Sequence, residues 1–110
     1  MTEDSEGITQ GSVEANGLTF GYLAAGDLDD PGAPLALCLH GFPDSAWTWR
    51  HLLPPLAAAG YRVVAPWLRG YAPTTVPEDG HYQSAVVALD ACALHAALGG
   101  GDDAVLIGHD

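Results

Sequence analysis

Apolar residues in this chain fall into short blocks, separated by breaks rich in Gly, Pro and Asp. The first eleven residues are polar and are expected to form a flexible N-terminus ahead of one domain over 12–110. Ser12–Ala15 and Leu18–Ala24 then read as two short strands around Asn16-Gly17. Both turn residues tolerate positive φ, which makes this a two-residue hairpin. "DLDDPGAP" (27–34) is a surface turn. "LALCLH" (35–40) is a continuous apolar run of strand length, as expected for a strand covered on both faces. Helical character follows from about Ala46 to Ala59, closed by Gly60 at the C-cap. Pro54 and Pro55 divide this segment into a short turn to Leu53 and a helix that starts at the prolines. "YRVVAP" (61–66) is a second buried strand and "WLRGYAPTTVPEDGH" (67–81) a long loop. From about Gln83 to Leu98 a helix is expected to bury the stripe Val86, Leu89, Ala93 and Ala97. "GGG" ends it, and "AVLIG" (104–108) is the last strand.

Strands that alternate with helices imply right-handed crossovers and a parallel sheet covered on both faces, with the hairpin at one edge. Ligands of such sheets meet the loops at the carboxyl ends of the strands. Two polar clusters fall at such ends: His40-Gly41-Phe42-Pro43-Asp44 after one strand, and Gly108-His109-Asp110 after another.

Charge narrows the range of partners. Fourteen Asp and Glu face three arginines and no lysine, a net charge of -11. That excludes a nucleic-acid surface, which needs a basic patch, and docking on an anionic membrane. The simplest role of the acidity is a solvated, soluble surface. No apolar run approaches the ~20 residues that cross a bilayer, and the N-terminus has neither signal nor transit character, so a soluble, cytoplasmic protein is expected. Cys38 and Cys92 lack metal or redox spacing and read as small buried hydrophobes. His51, His81 and His95 lack convergent ligand spacing, so no metal is assigned, and no cofactor is implied. "GGGDD" precedes its strand, so it cannot cradle a pyrophosphate at a helix N-terminus as a dinucleotide fold requires.

Gly108-His109-Asp110 has the form of half a nucleophile elbow, the strained strand-to-helix turn Gly-x-nucleophile-x-Gly. Taken alone, an aspartate after a strand is also an ordinary N-cap. The second cluster adds weight to the first reading. Gly41 can adopt backbone angles closed to other residues, and Pro43 stiffens the turn, with a cis bond open to it. Such a turn can aim the Phe42 N–H above the sheet as one donor of an oxyanion hole; the second would be the N–H of residue 111. His40 itself reads as a histidine hydrogen-bonded to loop backbone. Arg50 and Arg69 read as structural ion-pair partners, and Asp44 as a turn or cap residue. Trp47 and Trp49, two apart, cannot both face the core of one helix.

"LHGFPDSAWTWRHLLPPLAAAGYRVVAPWLRGYAPT" with "VLIGHD" some forty residues later resembles the N-terminal part of an α/β-hydrolase. More narrowly it is similar to the epoxide hydrolase and haloalkane dehalogenase branch, marked by His-Gly-x-Pro and by Gly-His-Asp with aspartate as nucleophile. The resemblance covers residues 12–110. It implies an α/β fold in which an edge hairpin precedes a parallel β-α-β-α-β unit. It also implies Asp110 as nucleophile and the Phe42 N–H as oxyanion donor, with His40, Gly41, Pro43, Gly108 and His109 shaping the two turns. Trp67 departs from the pattern, because relatives commonly carry aspartate there. A histidine base, its acidic partner and a lid with proton-donating tyrosines are implied beyond residue 110. The chain alone is therefore expected to be an inactive N-terminal portion.

An aspartate nucleophile narrows the reaction. With an ordinary pKa near ~3.9 it is already ionised at neutral pH and needs no activating base. Attack on an ester would give an anhydride. Attack on an sp³ carbon gives a stable alkyl ester that activated water then hydrolyses. The expected substrate is a small apolar electrophile, an epoxide or alkyl halide, together with water. Phe42 offers no side-chain donor to a departing halide, which favours epoxide opening. Haloalkane or haloacid cleavage stays open as the alternative, as does a non-catalytic, truncated hydrolase-like domain.

Overall fold

The computed structural model describes residues 7–30, 32–41, 45–74 and 84–108. β1 (Thr9–Ala15) and β2 (Leu18–Ala25) form the hairpin around Asn16 and Gly17, whose φ angles of 50° and 79° are both positive, as a two-residue turn requires. β1 begins at Thr9, ahead of the Ser12 start expected from the polar N-terminus. The extra pairs Thr9↔Ala24, Gln10↔Leu23 and Gly11↔Tyr22 lengthen the ladder. The Tyr22 ring lies over Gly11, where an added Cβ would stand 2.7 Å from the tyrosine oxygen. β3 (Leu35–Leu39), α1 (Leu53–Ala58), β4 (Arg62–Pro66), α2 (Ser84–Ala97) and β5 (Val105–Gly108) follow.

The sheet order is β1-β2-β4-β3-β5. β2 pairs with β4 antiparallel, while β3 is parallel to β4 on one side and to β5 on the other. This is the α/β arrangement expected from the alternating elements, an edge hairpin followed by a parallel β-α-β-α-β unit. Alternation along the strands divides the core between the two faces. Leu23, Ala25, Ala36, Cys38, Val63 and Ala65 meet Leu53 of α1, Trp49 and Trp67 on one face. Phe20, Ala24, Leu35, Leu37 and Val64 meet Leu94 of α2 on the other. β4 is buried along its whole length, whereas β5 leaves Leu106 62% exposed. An apolar groove of about 330 Å³ runs between β5 and α2.

The segment ahead of α1 divides at the prolines as expected. A short 3₁₀ turn, Ala46–Trp49, precedes α1 and is capped by Ser45, whose Oγ accepts from the Trp47 N–H at 3.2 Å. In a three-residue turn, positions two apart diverge by only about 120°. Trp49 therefore enters the core while Trp47 packs partly buried against the same cluster. α1 closes as expected: Gly60 takes φ 104°, and the N–H groups of Gly60 and Tyr61 return to the carbonyls of Ala57 and Leu56. The departure from expectation is the buried stripe of α2. It centres on Asp90 and Leu94, and Leu89 is 60% exposed with Ala97 also outside. Cys92 shares that outer surface, so it is exposed rather than buried as expected.

The reason for the rotated stripe is a buried ion pair. Asp90, 2% exposed, accepts from Arg69 Nε at 2.6 Å and Nη2 at 2.9 Å, and from Asn16 Nδ2 at 2.8 Å. One carboxylate thus joins α2, the segment after β4 and the hairpin turn. The segment 67–74 is fastened to β2 as well. The Trp67 N–H donates to the Gly21 carbonyl, the Gly21 N–H donates to Thr74 Oγ1, and Thr74 Oγ1 donates to the Trp67 carbonyl. Trp67 is itself a core residue, which accommodates the departure noted at that position. Arg62, also buried, donates to the carbonyls of Ala33, Leu98 and Gly99. Its charge meets the negative end of α2, where the helix leaves carbonyls unpaired. Arg50 donates to the Trp47 carbonyl at 3.0 Å.

Asp90→Asn takes the buried negative charge away from the Arg69 guanidinium that holds it by two nitrogens and is expected to lower stability by about 3 kcal/mol or more. The double replacement Arg69→Met with Asp90→Leu should cost less than Asp90→Asn alone, because no charge then stays buried. Urea unfolding of the three proteins measures both, and a harmless Asp90→Asn would contradict the role of the pair.

A second outcome concerns the thiols. Burial raises the Cys38 thiol from 9.0 to about 11. Only the thiolate is nucleophilic, so a maleimide at pH 8 should label Cys92 quickly and Cys38 only after denaturation. Because the folded value lies above the unfolded one, Cys38 contributes stability below about pH 9 that is lost as the pH rises towards 11. Rapid double labelling of native protein would contradict this.

Candidate active site

Parallel pairing brings the strand ends that precede the two sequence clusters to one end of the sheet. The register Cys38↔Ile107 and Leu39↔Gly108 sets the carboxyl ends of β3 and β5 side by side. His40 and Gly41 leave β3 there, and Gly108 closes β5 there. Phe42, Pro43, Asp44, His81, His109 and Asp110, which the sequence also singled out, lie outside the described residues. Around Gly108, apart from the glycine itself and its neighbours in sequence, no atom of the described residues comes within 4 Å of where a Cβ would stand.

His40 is 2% exposed, and both its ring nitrogens are engaged by backbone. The Leu68 N–H lies 3.0 Å from Nε2, and the Gly41 carbonyl oxygen lies 2.8 Å from Nδ1. A backbone N–H can only donate and a carbonyl can only accept. The ring is therefore held neutral, with its proton on Nδ1 and its lone pair on Nε2. Tyr71 packs edge-on against it, ring centres 4.8 Å apart. Tyr71 in turn sits in a tight turn, its N–H donating to the Leu68 carbonyl. The loop after β4 thus closes over the loop after β3.

Neither Leu68 nor Tyr71 carried a sequence signal for this contact, since one acts through its backbone and the other through a ring edge. Asp90 carried a faint one: it is the single acid within α2. His51 is exposed, and His95 Nε2 lies 3.0 Å from the Gly101 carbonyl. Among the described residues, no three His, Cys, Asp or Glu side chains gather as a metal site. Cys38 stands two residues before His40, but burial pushes its thiol up to about 11, which removes the thiolate at neutral pH. No helix of the described residues is long and apolar enough to cross a membrane.

Comparison with known proteins agrees with the resemblance read from the motifs. Epoxide hydrolase A of Mycobacterium tuberculosis is 41% identical over 108 residues, covering 93% of this chain and 31% of that protein. An epoxide hydrolase of Caballeronia sordidicola is 36% identical over 112 residues, covering all of this chain and 32% of its own length. The crystal structure of epoxide hydrolase VrEH1 from Vigna radiata superposes with a TM-score of 0.83 at 39% identity, over 96% of this chain and 33% of that one. The chain thus spans about a third of the length of the relatives it matches. The family model described as alpha/beta hydrolase fold matches residues 34–110, and the chain belongs to that family.

Proposed function

We propose that this chain forms the N-terminal, nucleophile-bearing portion of an epoxide hydrolase, with Asp110 as nucleophile. The observation that carries the reading is the side-by-side placement of the β3 and β5 carboxyl ends, each followed by one of the two polar clusters. The similarity to proteins named epoxide hydrolase supports it. Asp110, two residues beyond Gly108, attacks a ring carbon of the epoxide; the carbon–oxygen bond breaks and the oxygen leaves as an alkoxide that takes up a proton. The product is an alkyl ester of Asp110. Water, deprotonated by a base, then adds to the ester carbonyl. The resulting oxyanion is held by the Phe42 N–H and the N–H after Asp110, and its collapse releases the diol and restores the carboxylate.

His40 is not the base, because the Leu68 N–H occupies its only lone-pair nitrogen. The base, its acidic partner and the acid that protonates the alkoxide belong to a longer protein, and residues 1–110 alone do not turn over. Two free thiols, one of them exposed, suit a reducing, cytoplasmic compartment.

In a complete enzyme carrying this chain, a single turnover in ¹⁸O-labelled water should yield a diol whose new oxygen is unlabelled, because it comes from the Asp110 carboxylate. Asp110→Asn should abolish the ester seen after acid quench and slow hydration by more than about a thousandfold. Label in the first-turnover product, or near-normal turnover of the variant, would rule out the assignment.

A further inference from the structure

The hairpin turn needs two residues that tolerate positive φ, and Asn16-Gly17 supplies them at 50° and 79°. The same pair can react with itself. A bond from the Gly17 backbone nitrogen to the Asn16 side-chain carbonyl carbon closes a five-membered imide. Glycine leaves that nitrogen unshielded, because it has no Cβ. Both residues are exposed, and apart from its neighbours in sequence nothing lies within 4 Å of where a Gly17 Cβ would stand. Water therefore reaches the turn. One contact opposes the reaction: Asn16 Nδ2 donates to Asp90 Oδ1 at 2.8 Å. That carboxylate is 2% exposed and held by two nitrogens of Arg69, so it is a fixed acceptor. An amide that donates to an anion keeps its plane in one orientation, and the carbon–nitrogen bond that must break is strengthened.

We propose that Asn16 is a deamidation site and that Asp90 guards it. In the reaction the Gly17 nitrogen attacks the Asn16 Cγ and gives up its proton. The Cγ–Nδ2 bond breaks, and the departing nitrogen takes up the proton and leaves as ammonia. Water then opens the imide, and no oxidant or other reactant is required. Opening at the side-chain carbonyl gives aspartate; opening at the main-chain carbonyl gives isoaspartate, whose backbone is one atom longer. Either product removes the tie between the hairpin turn and α2. Aspartate sets a second carboxylate against Asp90 where a donor stood. Isoaspartate lengthens a two-residue turn whose closing pair is Ala15↔Leu18. The residues best suited to the turn are thus its chemical weak point, and the buried acid of α2 protects them.

In a complete enzyme carrying this chain, peptide mass mapping after incubation at mildly alkaline pH follows residue 16 in native and urea-unfolded protein. The unfolded protein should deamidate at Asn16. The native protein should react roughly ten- to a hundredfold more slowly, the worth of one hydrogen bond to a charged group. Arg69→Met with Asp90→Leu removes the acceptor without stranding a charge and should bring the folded protein most of the way to the unfolded rate. An Asn16 that stays intact in the unfolded chain would overturn the site. A folded double variant as slow as wild type would overturn the guard. A second pair of variants does not depend on that one folding. Asn16→Gly keeps the positive φ and loses only the donor, whereas Asn16→Asp also adds the carboxylate of the product. Both should lower the urea midpoint, Asn16→Asp the further of the two. A midpoint for Asn16→Asp equal to or above that of Asn16→Gly would refute the contact with Asp90 on which the guard depends.

Discussion

A carboxylate and a guanidinium sealed from water hold this structure in register. Asp90 and Arg69 are both nearly inaccessible, and the carboxylate takes two bonds from the guanidinium and a third from Asn16. Burying one such charge alone would cost several kcal/mol, so each requires the other. The pair rotates α2 so that an acid faces inward, draws the segment after β4 against the sheet, and ties the hairpin turn to both. Remove that constraint and the loop over His40 keeps its bonds to Gly21 but loses this tie to α2 and the hairpin turn. A hydrophobic contact in the same place would supply comparable stability but not the same direction, since only the forked guanidinium and the planar carboxylate define an orientation as well as a distance.

The remaining cations follow the same logic. Arg62 spends its donors on three backbone carbonyls, two of them just past the end of α2. Arg50 donates to the Trp47 carbonyl beside α1. With no lysine in the chain, each arginine described is committed to the protein's own backbone or to Asp90. Among the described residues Glu14, Asp27, Asp29, Asp30, Asp102 and Asp103 are exposed acids, whereas the arginines bond within the protein. Such a division leaves no basic patch for a polyanion.

Legibility followed from how local each cause is. The hairpin was visible because Asn16 and Gly17 carry their own conformational preference. α1 was visible because Pro54, Pro55 and Gly60 mark its ends. The parallel sheet followed from apolar runs of strand length, and the neighbouring carboxyl ends of β3 and β5 followed from the sheet. The inner face of α2 was misread because a hydrophobic period cannot report a buried acid whose partner lies 21 residues earlier. Leu89 was then assigned inward and Cys92 with it, although both lie outside. The contacts of His40 were illegible for a different reason: its partners are the main-chain groups of Leu68 and Gly41, which every residue possesses.

That last point explains why histidine suits position 40. A buried side chain there must accept from one backbone N–H and donate to one backbone carbonyl, on opposite sides of a rigid body. Serine could do both but is too short to reach Leu68, and a lysine or arginine could only donate. Asparagine and glutamine each have both functions, but at one end of a flexible stem. A neutral imidazole places donor and acceptor on a plane with no torsion between them, so a hydrogen bond at one nitrogen sets the direction of the other. The ring is thus a rigid spacer between two loops, one fixed by the Arg69–Asp90 pair and the other leading to residue 42. Its use here is geometric.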